Sequence, residues 1–255
     1  MVFNRLVTML FCLFVVVPIL WLLYAAFLPP EAVFSARLIT TGFSLANFRA
    51  LGGTGVAHAL MVSLLASGLT VGGQLVFGLM AAYAIKAGAP LLPPVLLALA
   101  LPLELLLIPL YRELQSFGVL DTLAALILPF LGSPLVIFLL FQALRRLPWE
   151  LVEAARLDGG GEFEIVTKVV APLLTPELLA AGVLAFAGHW NLVLYPRVMA
   201  NALPTVQVFL TDLLRSSPLE WGLLGAAALI TTLPILVLYI VFEQRILATF
   251  EASFQ

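Results

Sequence analysis

The chain has 255 residues, of which 63% are hydrophobic and only 10% charged, and its mean hydropathy is +1.15. A water-soluble domain carries roughly 25% charged residues, so this composition excludes one and describes a polytopic membrane protein. The formal net charge of −2, without any basic patch, gives no reason to expect a nucleic-acid partner.

In chain order, residues 6–30 carry no charge, enough for a helix across a hydrocarbon core of roughly 30 Å. Arg5 precedes the run, as in a secretory signal. The run is longer than the roughly 7–15 residues of a signal core and no small-x-small cleavage site follows, so a retained first span is expected over about 6–28. Cys12, the single cysteine, lies inside it, and no intrachain disulfide can form. A glycine-rich loop over 31–57 leads to a second uncharged run, 59–85, whose Gly68, Gly72, Gly73 and Gly78 offer small faces for close helix approach. A third span is expected over 91–111, with Pro93, Pro94, Pro102 and Pro109 shaping it and Glu104 near its middle. The fourth covers 122–144, the fifth 173–195 with Glu177 and His189, and the sixth 221–242. The expectation is an all-α fold of six transmembrane helices, a single membrane domain over 1–255.

Between the fourth and fifth spans lies the main concentration of charge, 145–172. From Arg145 to Lys168 it holds four of the twelve basic and five of the fourteen acidic residues. With the N-terminus inside, the inner segments carry seven basic residues (Arg5, Lys86, Arg145, Arg146, Arg156, Lys168 and Arg245) against five outside (Arg37, Arg49, Arg112, Arg197 and Arg215). The positive-inside rule thus puts this island and both termini in the cytoplasm. Pro148 suits the first turn of a helix. Glu150 and Glu153 then sit near its positive end, and Glu153 is placed to pair with Arg156 at i,i+3. Leu147, Leu151, Ala154 and Ala155 share a side. Asp158-Gly159 ends the helix, because glycine accepts the left-handed C-cap conformation. A second short helix is expected from Glu162, with Phe163, Val166 and Val170 on one face, stopped by Pro172. On composition alone, this stretch reads equally well as a solvated loop that only fixes topology.

The sequence Glu153-Ala154-Ala155, then Gly159, then Val169-x-Ala171-Pro172 resembles the EAA loop of permease subunits of binding-protein-dependent ABC importers, whose pattern is E-A-A, three residues, G, nine residues, I-x-L-P. The spacing is kept; Val169 and Ala171 depart from it. The Arg156-Leu157-Asp158-Gly159 continuation with Phe163 is similar to the carbohydrate branch. Ile108-Pro109-Leu110-Tyr111, Trp190-Asn191 with Tyr195-Pro196, and Trp221-Gly222 through Pro234 to Gln244-Arg245 resemble other segments of the shorter six-span permease of maltose-type and glycerol-3-phosphate-type systems. The tail departs from the family's Gly-rich ending. This resemblance implies that 145–172 is a coupling helix docked in a groove of a separate ATPase. Glu153 would be its charged contact, Ala154 and Ala155 its close-packing face, Asp158 and Gly159 its turn, with Phe163 and Pro172 completing the motif. It further implies a second homologous permease in a heterodimer, two ATP-binding subunits, an extracytoplasmic solute-binding protein, a bacterial-type inner membrane, and no cofactor. Gly160 and Gly161, beyond the pattern, are expected to loosen the turn.

Two readings stand for the remaining polar residues. Glu104 is either a polar wall of a translocation path or a structural hydrogen-bonding group, since an ionisable group in a span is costly unless it faces a cavity or partner. Trp190 and Asn191 either meet a sugar, by stacking and hydrogen bonding, or anchor the span at the interface. Two rival functions remain. A secondary transporter would couple ions through Glu104, which leaves the island's spacing unexplained. An intramembrane serine protease would pair Ser133 with His189, but the Gly-x-Ser-Gly setting is missing. Without a phosphate-binding Gly-x-x-x-x-Gly-Lys motif or a metal-ligand cluster, the chain is not expected to hydrolyse ATP or act as an enzyme itself.

Overall fold

The structure, a computed structural model, describes residues 2–29, 42–216 and 220–251. Helices account for it, and no strand occurs among the described residues. They are α1 (Val2–Ala26), α2 (Ala46–Leu51), α3 (Val56–Lys86), α4 (Leu92–Ala100), α5 (Leu103–Ser116), α6 (Leu123–Ile127), α7 (Pro134–Arg146), α8 (Glu150–Leu157), α9 (Glu162–Ile165), α10 (Ala171–Leu173), α11 (Thr175–Trp190), α12 (Leu194–Met199), α13 (Val206–Arg215) and α14 (Trp221–Glu251). Among the described residues four helical stretches are long and apolar enough to cross a membrane: Val7–Ala26, Val56–Lys86, Leu123–Arg146 and Trp221–Phe242. Two bent pairs raise the number to six if each pair is one span. Large apolar side chains such as Phe14, Ile108 and Val241 are exposed along these helices, which suits a surround of lipid or of other apolar helices. Arg37 and the rest of 30–41 lie outside the described residues.

The expected third span is not one helix. α4 and α5 meet at 104° across Leu101-Pro102. The proline cannot donate to the helix ladder, and it forces the residue before it out of helical geometry; Leu101 is extended, at ψ 122°. Glu104 consequently lies in the first turn of α5, where the helix dipole favours a carboxylate, and not at mid-span. The expected fifth span, 173–195, corresponds to one unbroken helix, α11, and the bend lies at its start. A helical run over Glu162–Leu173 joins α11 at 85°, and the chain turns at Leu174, two residues beyond Pro172. The ladder passes through a π segment, Val166–Val170, just ahead of Pro172, where a widened turn makes room for the ring.

By its contacts the chain falls into two compact units, Met1–Met61 with Thr205–Pro234, and Val62–Pro204 with Ile235–Gln255. In the first, small residues set the packing. A Cβ on Gly225 would stand 2.7 Å from the Leu22 carbonyl oxygen, so α1 and α14 approach through backbone. The buried Asn47 amide donates to the carbonyls of Ala26 (3.0 Å) and Leu28 (2.8 Å), satisfying the end of α1. In the second unit, α3, α7 and α11 share a core of Leu79, Val136, Leu140, Leu144, Ala181 and Ala185. Of the glycines of α3, two are tight: a Cβ on Gly73 would collide with Leu131 Cδ2 and one on Gly78 would meet Val136 Cγ1 at 2.9 Å, whereas Gly68 and Gly72 face open space.

Candidate functional site

The island folds as a helix, a closed turn and a second helix. Within α8, Val152 is fully buried, with Leu147, Trp149 and Ala155 packed around the same cluster. Leu151, Glu153 and Ala154 point outward, so the side expected to hold Leu147, Leu151, Ala154 and Ala155 together is divided, with Leu147 and Ala155 turned to the core. Gly159 adopts φ +87°, and its N–H donates to the Arg156 carbonyl at 3.0 Å. The Gly160 N–H donates to Ala155 at 3.0 Å. These two bonds form a Schellman motif, which satisfies the last carbonyls of α8. A Cβ on Gly160 would lie 2.9 Å from the Ala155 oxygen. This glycine is therefore required by the turn and does not loosen it.

The ion pair expected between Glu153 and Arg156 does not form. The Arg156 guanidinium reaches across the turn, with Nε donating to Glu162 Oε1 at 2.7 Å and Nη2 to Glu162 Oε2 at 3.1 Å. A second bond runs from Nη2 to the Tyr83 hydroxyl oxygen at 3.1 Å, and Tyr83 donates its hydroxyl to Glu162 Oε2 at 2.5 Å. The planar fork of arginine matches a carboxylate bidentately, and Glu153 offers no such closure. Arg156, and after it Tyr83, hold the Glu162 carboxyl below its ordinary value. At the other end of α8, Trp149 packs on Tyr83 with ring centroids 5.6 Å apart, and Lys86 Nζ lies 5.6 Å from the Trp149 ring. The end of α3 is thus gripped at both ends of α8. Lys168 pairs with Glu164, which lowers the latter's carboxyl pKa.

Outside this clasp the island presents Leu157, 89% exposed, and Phe163, 73% exposed, with Glu153, Ala154 and Asp158 beside them. Phe163 does not share a face with Val166 and Val170, which are buried together with Ile165. The π segment takes an extra residue per turn and rotates the later positions away.

Two of the three residues expected to line a path come together. Glu104 and Asn191 line one cavity of about 290 Å³ with Leu103, Leu107, Val193 and Tyr195. Trp190 does not join them: it is buried and stacked on Phe186, centroids 5.3 Å apart, so its ring faces packing and no cavity. Ser133 and His189 line another cavity but form no catalytic pair. The Ser133 Oγ caps α7 by accepting from the Val136 N–H at 3.4 Å. His189 Nε2 lies 3.0 Å from the Leu126 carbonyl and Nδ1 3.0 Å from Ser67 Oγ. A carbonyl only accepts, so Nε2 carries the proton and Nδ1 accepts from Ser67. This polar contact with α3 was not read from the sequence, although Ser63, Ser67, Thr70 and Gln74 already spell a helical face.

A chain of bent apolar spans, carrying between two of them a charged helix pair clasped to the end of a third, is built as a membrane transport component. Residues 74–248 match the family model described as "Binding-protein-dependent transport system inner membrane component", and the chain belongs to that family. It is 30% identical over 247 residues to a permease protein of the trehalose transport system of Mycobacterium tuberculosis, SugB, covering 92% of this chain and 90% of that one. It is 30% identical to NgcG, a permease protein of the diacetylchitobiose uptake system of Streptomyces coelicolor, over 93% of this chain and 83% of that one. Its fold is shared with a chain of a bacterial ABC transporter involved in alginate import, at a TM-score of 0.60, 20% identity and 95% coverage of both chains.

Proposed function

We propose that this chain forms half of the translocation path of an ABC importer for a sugar or sugar-like solute, with ATP hydrolysis on separate subunits. Family membership and the relatives' sugar substrates support the cargo class. The observation that carries the mechanism is the double grip of α8 on the end of α3 beneath an outward face of Leu157, Phe163, Ala154 and Glu153. Leu157 and Phe163 leave apolar surface that a covering partner would remove from water. An ATPase groove with an apolar floor and a basic rim would accept Leu157 and Phe163, with Glu153 and Asp158 at its edge. Closure of the ATPase dimer would then move α8 as a rigid lever, since the Schellman turn and the Arg156–Glu162–Tyr83 cluster leave it little freedom. Pro172 lies at the end of the lever, where the chain enters α11.

On this reading the chain is one permease domain of six spans, with the α4–α5 pair as the third, α11 as the fifth, and both termini cytoplasmic. It pairs with a homologous permease and receives solute from an extracytoplasmic binding protein. The cavity of Glu104 and Asn191 lines the path.

The test is reconstitution of the complete importer in proteoliposomes with a panel of disaccharides. ATP-dependent uptake of one of them is expected, along with altered uptake but normal assembly for Glu104→Gln. Uptake driven by an ion gradient through this chain alone would overturn the proposal.

A further inference from the structure

A polar stripe on α3 lies outside the island. Ser63, Ser67, Thr70 and Gln74 recur at i, i+4, i+7 and i+11, one face of the helix, and all four are buried. Ser67 is engaged by His189, and Thr70 Oγ1 lies 3.5 Å from its Nε2. Gln74 is only half satisfied. Its amide nitrogen donates to the Phe130 carbonyl at 2.8 Å, while its Oε1 is buried and accepts no hydrogen bond from any described residue. An acceptor held out of water without a donor is costly and calls for a physical reason.

Gln74 lines a cavity of about 170 Å³ with Phe130, Ser133, Gly188, His189 and Leu192. Leu192 also lines the cavity of Glu104 and Asn191, so the two stand side by side. No charged residue lines the smaller one. His189 has its one N–H committed to Leu126, and Ser133 keeps a hydroxyl proton to donate. Gln74 thus brings a neutral acceptor, covered in this structure, to the edge of the cavity, and Ser133 a neutral donor, among apolar side chains.

We propose that this cavity is a hydroxyl-binding subsite on the translocation path, in which a hydroxyl group of the passing solute donates to Gln74 Oε1 and accepts from Ser133. The proposal rests on the sugar-importer reading and adds to it a contact made by this subunit. A neutral site with few polar contacts binds weakly enough to release, as conduction requires.

Gly188 gives a probe, because a Cβ there meets nothing within 4 Å. In the complete reconstituted importer carrying Cys12→Ser and Gly188→Cys, the rate of modification by a small water-soluble thiol reagent is measured during ATP-driven uptake. Trehalose, maltose and lactose are compared with glycine betaine, which has no hydroxyl. The disaccharide that is carried should slow modification several-fold, glycine betaine should not, and Gln74→Leu or Gln74→Met should abolish the protection while the ATPase still co-purifies. A thiol that never reacts, a rate indifferent to the carried disaccharide, or protection that survives loss of Gln74 would each overturn the subsite. Those results leave the importer reading standing if uptake persists. Absence of disaccharide uptake would remove the sugar reading and the subsite together.

Discussion

The island at 145–172 and the polar stripe of α3 both join helices through polar side chains, and they do so by opposite means. The island uses charge: Arg156 with Glu162 and Lys168 with Glu164 are exposed pairs that water already solvates. The stripe uses neutral groups, with Ser67, Thr70, Gln74 and His189 bonding to one another and to carbonyls in a setting where an ion would be expensive. Exposed pairs add little stability, so the island's polar contacts are suited to orienting α8, whereas those of the stripe hold the bundle. Substitutions should therefore separate coupling from stability according to region.

The sharpest break is expected at the turn. Gly160→Leu places a side chain against the Ala155 carbonyl and opens the Schellman closure, and Gly159→Ala adds left-handed strain of roughly 1–2 kcal/mol. Both should abolish ATP-driven uptake while the solubilised chain keeps its helical circular dichroism. Next comes the stripe, where His189→Leu strands Ser67 and the Leu126 carbonyl. A stability loss of about 1–3 kcal/mol is expected, the desolvation cost of groups left unpaired, visible as a lower thermal midpoint in detergent. A smaller effect should come from Glu162→Gln and Tyr83→Phe. Each ought to leave that midpoint unchanged and weaken the link between ATP hydrolysis and uptake by about fivefold, the low end of ordinary coupling between sites. If they lowered the thermal midpoint as His189→Leu does, the contrast between the regions would be lost.

Acid provides the mildest test. The Glu162 carboxyl titrates below its ordinary 4.5 in the folded protein, so its contribution is fully present above that value and is lost as pH falls through the depressed one. Coupling should be insensitive to Glu162 from neutrality down to about pH 5 and should weaken only in stronger acid. A loss of coupling centred near neutrality would point to another group.

Much of the island was legible in its spacing. Glu150, the Asp158-Gly159 end and the restart at Glu162 fall where sequence placed them, because an acidic first turn and a left-handed glycine are local rules. Its faces were less legible. Phe163 parted from Val170 through a π segment that no simple helical period contains, and Arg156 chose Glu162 over Glu153 through a tertiary contact with Tyr83. Pro102 announced a break in the third span, but not an angle of 104°. The stripe was readable as a period of polar residues in α3, although Gly68 and Gly72 lie on the other side of that helix. Glu104 and Asn191 stand 87 positions apart in sequence, and only the fold puts them on one cavity.

The central claim is that the outer face of the 145–172 helix pair docks the ATP-binding subunits. The most direct measurement is co-purification of those subunits with the detergent-solubilised chain, for the wild type and for Glu153→Lys, Leu157→Asp and Phe163→Asp. The account predicts that the ATPase is retained by the wild type and lost from the variants, all of which keep their fold because these side chains pack against nothing in the chain's core. Retention of the ATPase by all three variants would contradict it.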